Sequence, residues 1–134
     1  MYPFINLVGR YGHDQIELEG DSQSLLWLSE QLMTGKDYIL SLSRPKEVNA
    51  EPYEVFLKLM RIQVSEGALK ISKKGSELQV SGAPKNLTLL AKSVKRLAGQ
   101  KNSKLPRPHT HIEYFPEHPF LSSSSMALII ALDD

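Results

Sequence analysis

Apolar residues recur along this chain with two different spacings, and the change from one to the other marks the elements. Leu87, Leu90, Ala91, Val94 and Leu97 follow one another at three and four. That spacing stacks them on one face of a helix, while Lys85, Lys92, Lys95 and Arg96 fall largely elsewhere. Pro84 suits the first turn of this helix and Gly99 its end. An earlier helix carries Leu25, Leu28 and Leu32 towards the core, with Asp21 or Ser22 as its N-cap and Gly35 as its stop. Trp27 lies at the edge of that stripe, where packing is favoured over a contact role because indole has so much apolar area to bury.

Elsewhere the period is two, which predicts strands. Phe4 to Val8 and Gln15 to Glu19 flank an RYGHD turn as a hairpin, and Tyr38 to Ser43 follows the first helix. LKISKKGSELQVSG is the clearest hairpin, with Leu69 and Ile71 before a KKGS turn and Leu78 and Val80 after it. His109 to Phe115 and Met126 to Leu132 supply two more strands. YEVFLKLMRIQV reads both ways. Tyr53, Phe56, Leu57 and Met60 would form a helical face, yet the β-branched and aromatic residues towards Val64 favour a strand.

Two stretches share a pattern. IELEGDSQSLLWLSEQL, from Ile16, aligns without gaps on LQVSGAPKNLTLLAKSV, from Leu78. Gly20 meets Gly82, and Leu25, Leu28 and Leu32 meet Leu87, Leu90 and Val94. Identities are few, so the pairing speaks for a shared strand–glycine–helix layout and not for common descent. The order becomes ββαββ twice over, a candidate pseudo-repeat. It predicts an α+β fold: one antiparallel-dominated or mixed β-sheet with both helices on one face. At 134 residues the chain fits a single domain, 1–134.

Composition narrows the class. A hydrophobic fraction of 41% and a charged fraction of 23% are those of a folded globular protein. The longest apolar run, MALIIAL, suits a strand and is too short to span a membrane. No basic residue precedes the short apolar stretch of MYPFINLVGR, so no secretory signal is expected and a cytoplasmic location is the default. The absence of cysteine excludes a disulfide framework and a thiolate zinc site.

The net charge of +1 is unevenly spread. Asp14, Glu17, Glu19, Asp21 and Glu30 form a stretch without a base, and Lys85, Lys92, Lys95, Arg96, Lys101, Lys104 and Arg107 one without an acid. Such asymmetry can mark a face for an anionic partner, but solvation of a helix and a loop is the more common role. Nucleic-acid binding is disfavoured, because no aromatics interleave with the basic run; Tyr114 and Phe115 lie beyond it.

Candidate chemistry gathers in RPHTHIEYFPEHPF, Arg107 to Phe120. On an extended strand His109, His111 and Glu113 point one way, and Thr110, Ile112 and Tyr114 the other. Two imidazoles and a carboxylate on one face favour exposure or a groove, and Pro108, Pro116 and Pro119 are typical of a sheet edge. His118 follows in a turn fixed by its neighbouring prolines. Three chemistries compete. His109 and His111 could ligate a divalent ion, with Glu113, His118 or His13 as third ligand. One histidine could act as a general base, although no nucleophile elbow or phosphate loop accompanies it. The side chains could instead be hydrogen-bonding contacts for a protein partner, or polar residues on a solvated face, and this third reading is favoured.

The same segment carries a resemblance. His109, His111, Glu113, Tyr114, Phe115, Pro116, His118, Pro119 and Ser125, followed by the apolar Leu128 to Ile130, resemble the closing signature of immunity proteins from bacterial polymorphic-toxin systems. The family is the one known as immunity protein thirty-two, and the resemblance covers about the last quarter of the chain. It implies a toxin-neutralising immunity protein that binds a cognate protein toxin, is no enzyme and needs no cofactor or metal. The implied partner-binding residues are His109, His111, Glu113, Tyr114 and His118. The alternative is a small metal-binding protein or metal-dependent hydrolase that uses the HxHxE strand. Immunity proteins against nucleases are often strongly acidic, whereas this chain is near neutral, which argues against simple nucleic-acid mimicry. The edge-like strand carrying His109 could also pair with a copy of itself as a homodimer.

Overall fold

A computed structural model of the protein describes residues 5–43, 55–100 and 108–133. Phe4, Tyr53, Lys101, Lys104 and Arg107, to which the sequence reading assigned parts, lie outside the described residues. In chain order the elements are β1 (Leu7–Gly12), β2 (Gln15–Gly20), α1 (Ser22–Met33), β3 (Tyr38–Ser41), β4 (Val55–Leu57), β5 (Leu59–Val64), β6 (Lys70–Lys74), β7 (Glu77–Gly82), α2 (Pro84–Ala98), β8 (His109–Ile112) and β9 (Ala127–Leu132).

The α+β class is as expected, but the strands divide between two mixed sheets instead of sharing one. The first has the order β4-β1-β2-β9-β8 and the second β3-β5-β7-β6. In the first, the β1–β2 hairpin meets β9 in parallel, and β8 pairs antiparallel on the far side of β9. In the second, the β6–β7 hairpin meets β5 in parallel, and β3 pairs antiparallel beyond it. Each sheet thus joins a hairpin from one half of the chain to a strand pair from the other. Periodicity reveals strands but not their partners, so the division could not be read from it.

The ambiguous YEVFLKLMRIQV holds the crossing point. β4 pairs with β1 in the first sheet, whereas β5, one residue later, lies in the second. Lys58 joins them, its amide donating to the Ser76 carbonyl at 2.7 Å and its carbonyl accepting from the Leu42 amide at 2.8 Å. Leu57 and Met60 are both buried, three residues apart. The alternation therefore slips at Lys58, which also produced the helix-like spacing.

The first hairpin closes later than RYGHD suggested. β1 runs on through Gly12, and the two-residue turn is His13–Asp14, with φ of 53° and 59°. Both central residues in the left-handed region give the mirror-image turn that suits twisted strands, and aspartate tolerates it better than most residues. The second hairpin turns on Gly75 and Ser76, with only Gly75 at positive φ.

The helices form as their ends dictate. Asp21 caps α1 by accepting from the Ser24 amide at 2.7 Å, and Gly35, at φ 69°, follows its last turn. α2 starts at Pro84 without a side-chain cap and ends at Gly99. The Ser22 hydroxyl donates to the Ala98 carbonyl at 2.9 Å, while Gly35 lies beside Pro84, so the two helices run antiparallel. Leu25, Leu28, Leu32, Leu87, Leu90 and Val94 all join one core with Ile16, Leu18, Met60, Ile62, Leu78, Val80, Leu128 and Ile130. Burying each such side chain contributes roughly 1.5–3 kcal/mol before entropy is counted.

Gly20 and Gly82 let the chain turn from strand to helix against a leucine. A Cβ on Gly20 would lie 2.6 Å from Leu7 Cδ2, and one on Gly82 would run into Leu69, whose own Cα is 3.0 Å away. Leu7 and Leu69 are both fully buried.

Candidate functional site: the β8 edge and the turn after it

β8 is the outermost strand of its sheet, paired only with β9 among the described residues. The register sets His109 opposite Ala131 and His111 opposite Ile129, while Thr110 and Ile112 face Ile130 and Leu128. Ile112, Leu128 and Ile130 are buried, so one face of β8 anchors the strand and the other carries the histidines. The side chain of His111 is 52% exposed and that of Glu113 is 56% exposed. The His109 and His111 rings meet edge to face with centroids 5.0 Å apart. His111 Nδ1 lies 3.6 Å from Glu113 Oε1, an ion pair only when the imidazole is protonated. Tyr114 and Phe115 then continue the exposed surface. Phe115 was absent from the contact set read from sequence. Alternation stops at Ile112, so two consecutive aromatics can both face solvent.

His118 has a different task. Its Nδ1 accepts from the amides of Phe120 at 3.1 Å and Leu121 at 3.0 Å. Two donors on one nitrogen require that Nδ1 carry its lone pair, leaving any proton of the neutral ring on Nε2. The ring contacts Phe115 and Phe120, both with centroids at 4.6 Å. Burial lowers its pKa below the ordinary 6.5, because the charged ring would lose hydration. Glu117, at φ 68°, completes the tight bend. His118 therefore orders the turn from within, while His109, His111 and Glu113 share the open face.

Beyond this turn the chain crosses to the other sheet. The Phe120 carbonyl accepts from the Leu69 amide at 2.8 Å, and the Ser122 amide donates to the Leu69 carbonyl at 2.7 Å. The Ser125 hydroxyl donates to the Leu69 carbonyl and accepts from the Ile71 amide, both at 3.1 Å. Met126 then donates to the Ile71 carbonyl at 2.8 Å before the chain enters β9. A segment that leaves one sheet at β8 and rejoins it at β9 is thus tied to the outer side of β6 in the other.

The charge runs resolve separately. Part of the acidic run is internal: Arg10 lies 3.8 Å from Glu17 and 3.7 Å from Glu19, and its guanidinium sits 5.6 Å from the Phe56 ring centre. Glu17 is only 5% exposed, which a helix-solvating role did not foresee; its place opposite Arg10 in the hairpin is the signal that would have shown it. Lys85, Lys92, Lys95 and Arg96 lie exposed on α2. Arg61 binds Glu77, whose pKa is lowered chiefly by that hydrogen bond. Among the described residues no group of three or more His, Cys, Asp or Glu could hold a metal ion. Nor is any helix among them long and apolar enough to cross a membrane.

No curated protein and no solved structure matches the chain. A protein family does: residues 77–133, from the first residue of β7 through β9, match the family described as Immunity protein 32, the same family that the closing signature resembles.

Proposed function

We propose that the protein is an immunity protein, which binds a cognate toxin in the cytoplasm of the producing cell and neutralises it without chemistry of its own. The family match carries the reading, because its span takes in the whole β8 edge and the turn after it. Physical support comes from the surface. His109, His111, Glu113, Tyr114 and Phe115 combine imidazoles that donate and accept, a carboxylate that accepts and two aromatic rings, along β8 and the residues just after it, with Ile112 buried as the anchor. Rigid polar–aromatic surfaces suit protein recognition, since little freedom is lost on docking. His118 serves the surface indirectly by fixing the turn that presents Phe115.

The experiment is co-expression of the tagged chain with the product of the neighbouring reading frame. The expected result is rescue of growth from that product, together with its co-purification. Unrelieved toxicity, or a neighbour that is harmless alone and never co-purifies, would sink the reading.

A further inference from the structure

Among the described residues four strands form the edges of the two sheets, and three of them bear features that discourage pairing with another chain. β6 carries Lys70, Lys73 and Lys74, and the connection from Phe120 to Met126 is bonded along it. β4 has three residues and is followed at once by Lys58. β8 follows Pro108 and carries two histidines. Lysine, proline, shortness and covering segments are the usual means of blunting a sheet edge. β3 itself holds neither lysine nor proline. Its sequence is Tyr-Ile-Leu-Ser, and among the described residues it pairs only with β5. Ile39 is 52% exposed on one face of the edge, while Tyr38, 38% exposed on the other, packs edge to face on Trp27.

We propose that β3 pairs antiparallel with the β3 of a second copy, joining two four-stranded sheets into one continuous sheet. A strand requires a strand beside it, because only extended backbone satisfies a row of open amides and carbonyls. The second copy is favoured over a foreign strand by self-complementarity. A two-fold axis through Ile39 lays it on its own counterpart on one face and Tyr38 beside the other copy's Leu40 on the opposite face. It sets Asp37 opposite a serine, Ser41, so no like charges meet. The Asp37 carboxylate already accepts from the Val64 amide at 2.7 Å and does not guard the edge. A hollow of about 510 Å³, lined by Asp37, Ile39, Arg61 and Gln63 among others, lies along β3 and its neighbour β5. Isologous pairing of this kind closes on itself and stops at two chains.

Sedimentation velocity and light scattering of the full chain, over a range of concentrations, test the proposal without any partner. The expected result is a mass of twice 15.1 kDa that Ile39→Lys reduces to 15.1 kDa, with its circular dichroism unchanged and its melting temperature no longer dependent on concentration. Leu89→Lys, at an exposed site on α2, should leave the dimer intact. A monomer at every concentration would overturn self-pairing, and so would a dimer that Ile39→Lys leaves whole. If the chain is monomeric alone but Ile39→Lys abolishes capture of the neighbouring gene product, the edge takes a foreign strand and the second copy is ruled out.

Discussion

β3 and β8 hold the same place in their respective sheets and are chemically unlike. Each is an outer strand, antiparallel to a neighbour that itself runs parallel to a hairpin strand. Each is four residues long and holds itself down by one buried aliphatic side chain, Leu40 in β3 and Ile112 in β8, both 5% exposed. The exposed positions differ entirely: Tyr38 and Ile39 on one, His109 and His111 on the other. Architecture accounts for the anchors. It does not account for the exposed residues, and their difference is what the two separate roles proposed above rest on.

The sharpest test of this comparison is to remove the anchors. Leu40→Ala and Ile112→Ala should each cost about 3 kcal/mol in urea unfolding, as loss of buried aliphatic groups does. Similar costs would support the equivalence of the two places, and a variant within 1 kcal/mol of the parent would break it. The two glycines probe the hairpins behind those strands. Gly82→Ala should destabilise by about 2–3 kcal/mol, because its obstacle includes the backbone of Leu69. Gly20→Ala should cost less, about 1–2 kcal/mol, since much of its obstacle is the end of the Leu7 side chain. The reverse order would show that the two close approaches are not alike.

His118 separates turn from surface. His118→Ala should lower stability by about 1–3 kcal/mol, through two backbone amides left without their acceptor. His118→Asn should restore part of this, because its side-chain oxygen can accept from an amide two residues on. The parent's stability should also depend on pH in a stated direction. With the folded-state pKa below 6.5, the unfolded chain binds the proton more readily. The contribution of the neutral ring is complete above about pH 6.5 and is lost as the pH falls through the folded-state value. Thermal melts that stay level through this window, or that change equally in His118→Asn, would contradict the assignment. The smallest effects belong to the open face. His111→Ala and Glu113→Ala should alter stability by no more than about 0.5 kcal/mol, since both side chains are more than half exposed. Binding to the proposed toxin partner should weaken at least about tenfold, which is about 1.4 kcal/mol. A large fall in melting temperature with unchanged affinity per folded molecule would remove these residues from the contact surface.

What the sequence made legible follows from which forces act locally. Helix ends and stripes were readable because Asp21, Gly35, Pro84 and the leucine spacing act within a few residues. The β6–β7 hairpin was readable because the glycine needed at positive φ is in the sequence at Gly75. The β1–β2 turn was placed in RYGHD but drawn too long, because His13 and Asp14 adopt positive φ without a glycine to advertise it. The two-sheet division was hidden because β2–β9 and β5–β7 are long-range pairings with no local signature. At the site, alternation along β8 correctly set His109 and His111 on one face. The same reasoning could not show that His118 turns back onto the Phe120 and Leu121 amides, since that depends on the bend at Glu117.

The parallel pairing of β2 with β9 also has a consequence in time. β2 ends at Gly20 and its neighbour begins at Ala127, so one side of that strand stays open while most of the chain is made. At a synthesis rate of about 5–20 residues per second, the wait is on the order of ten seconds. Only when β9 arrives can the sheet that carries the histidine edge be completed. The β8 edge of a nascent chain therefore takes its place in the sheet late.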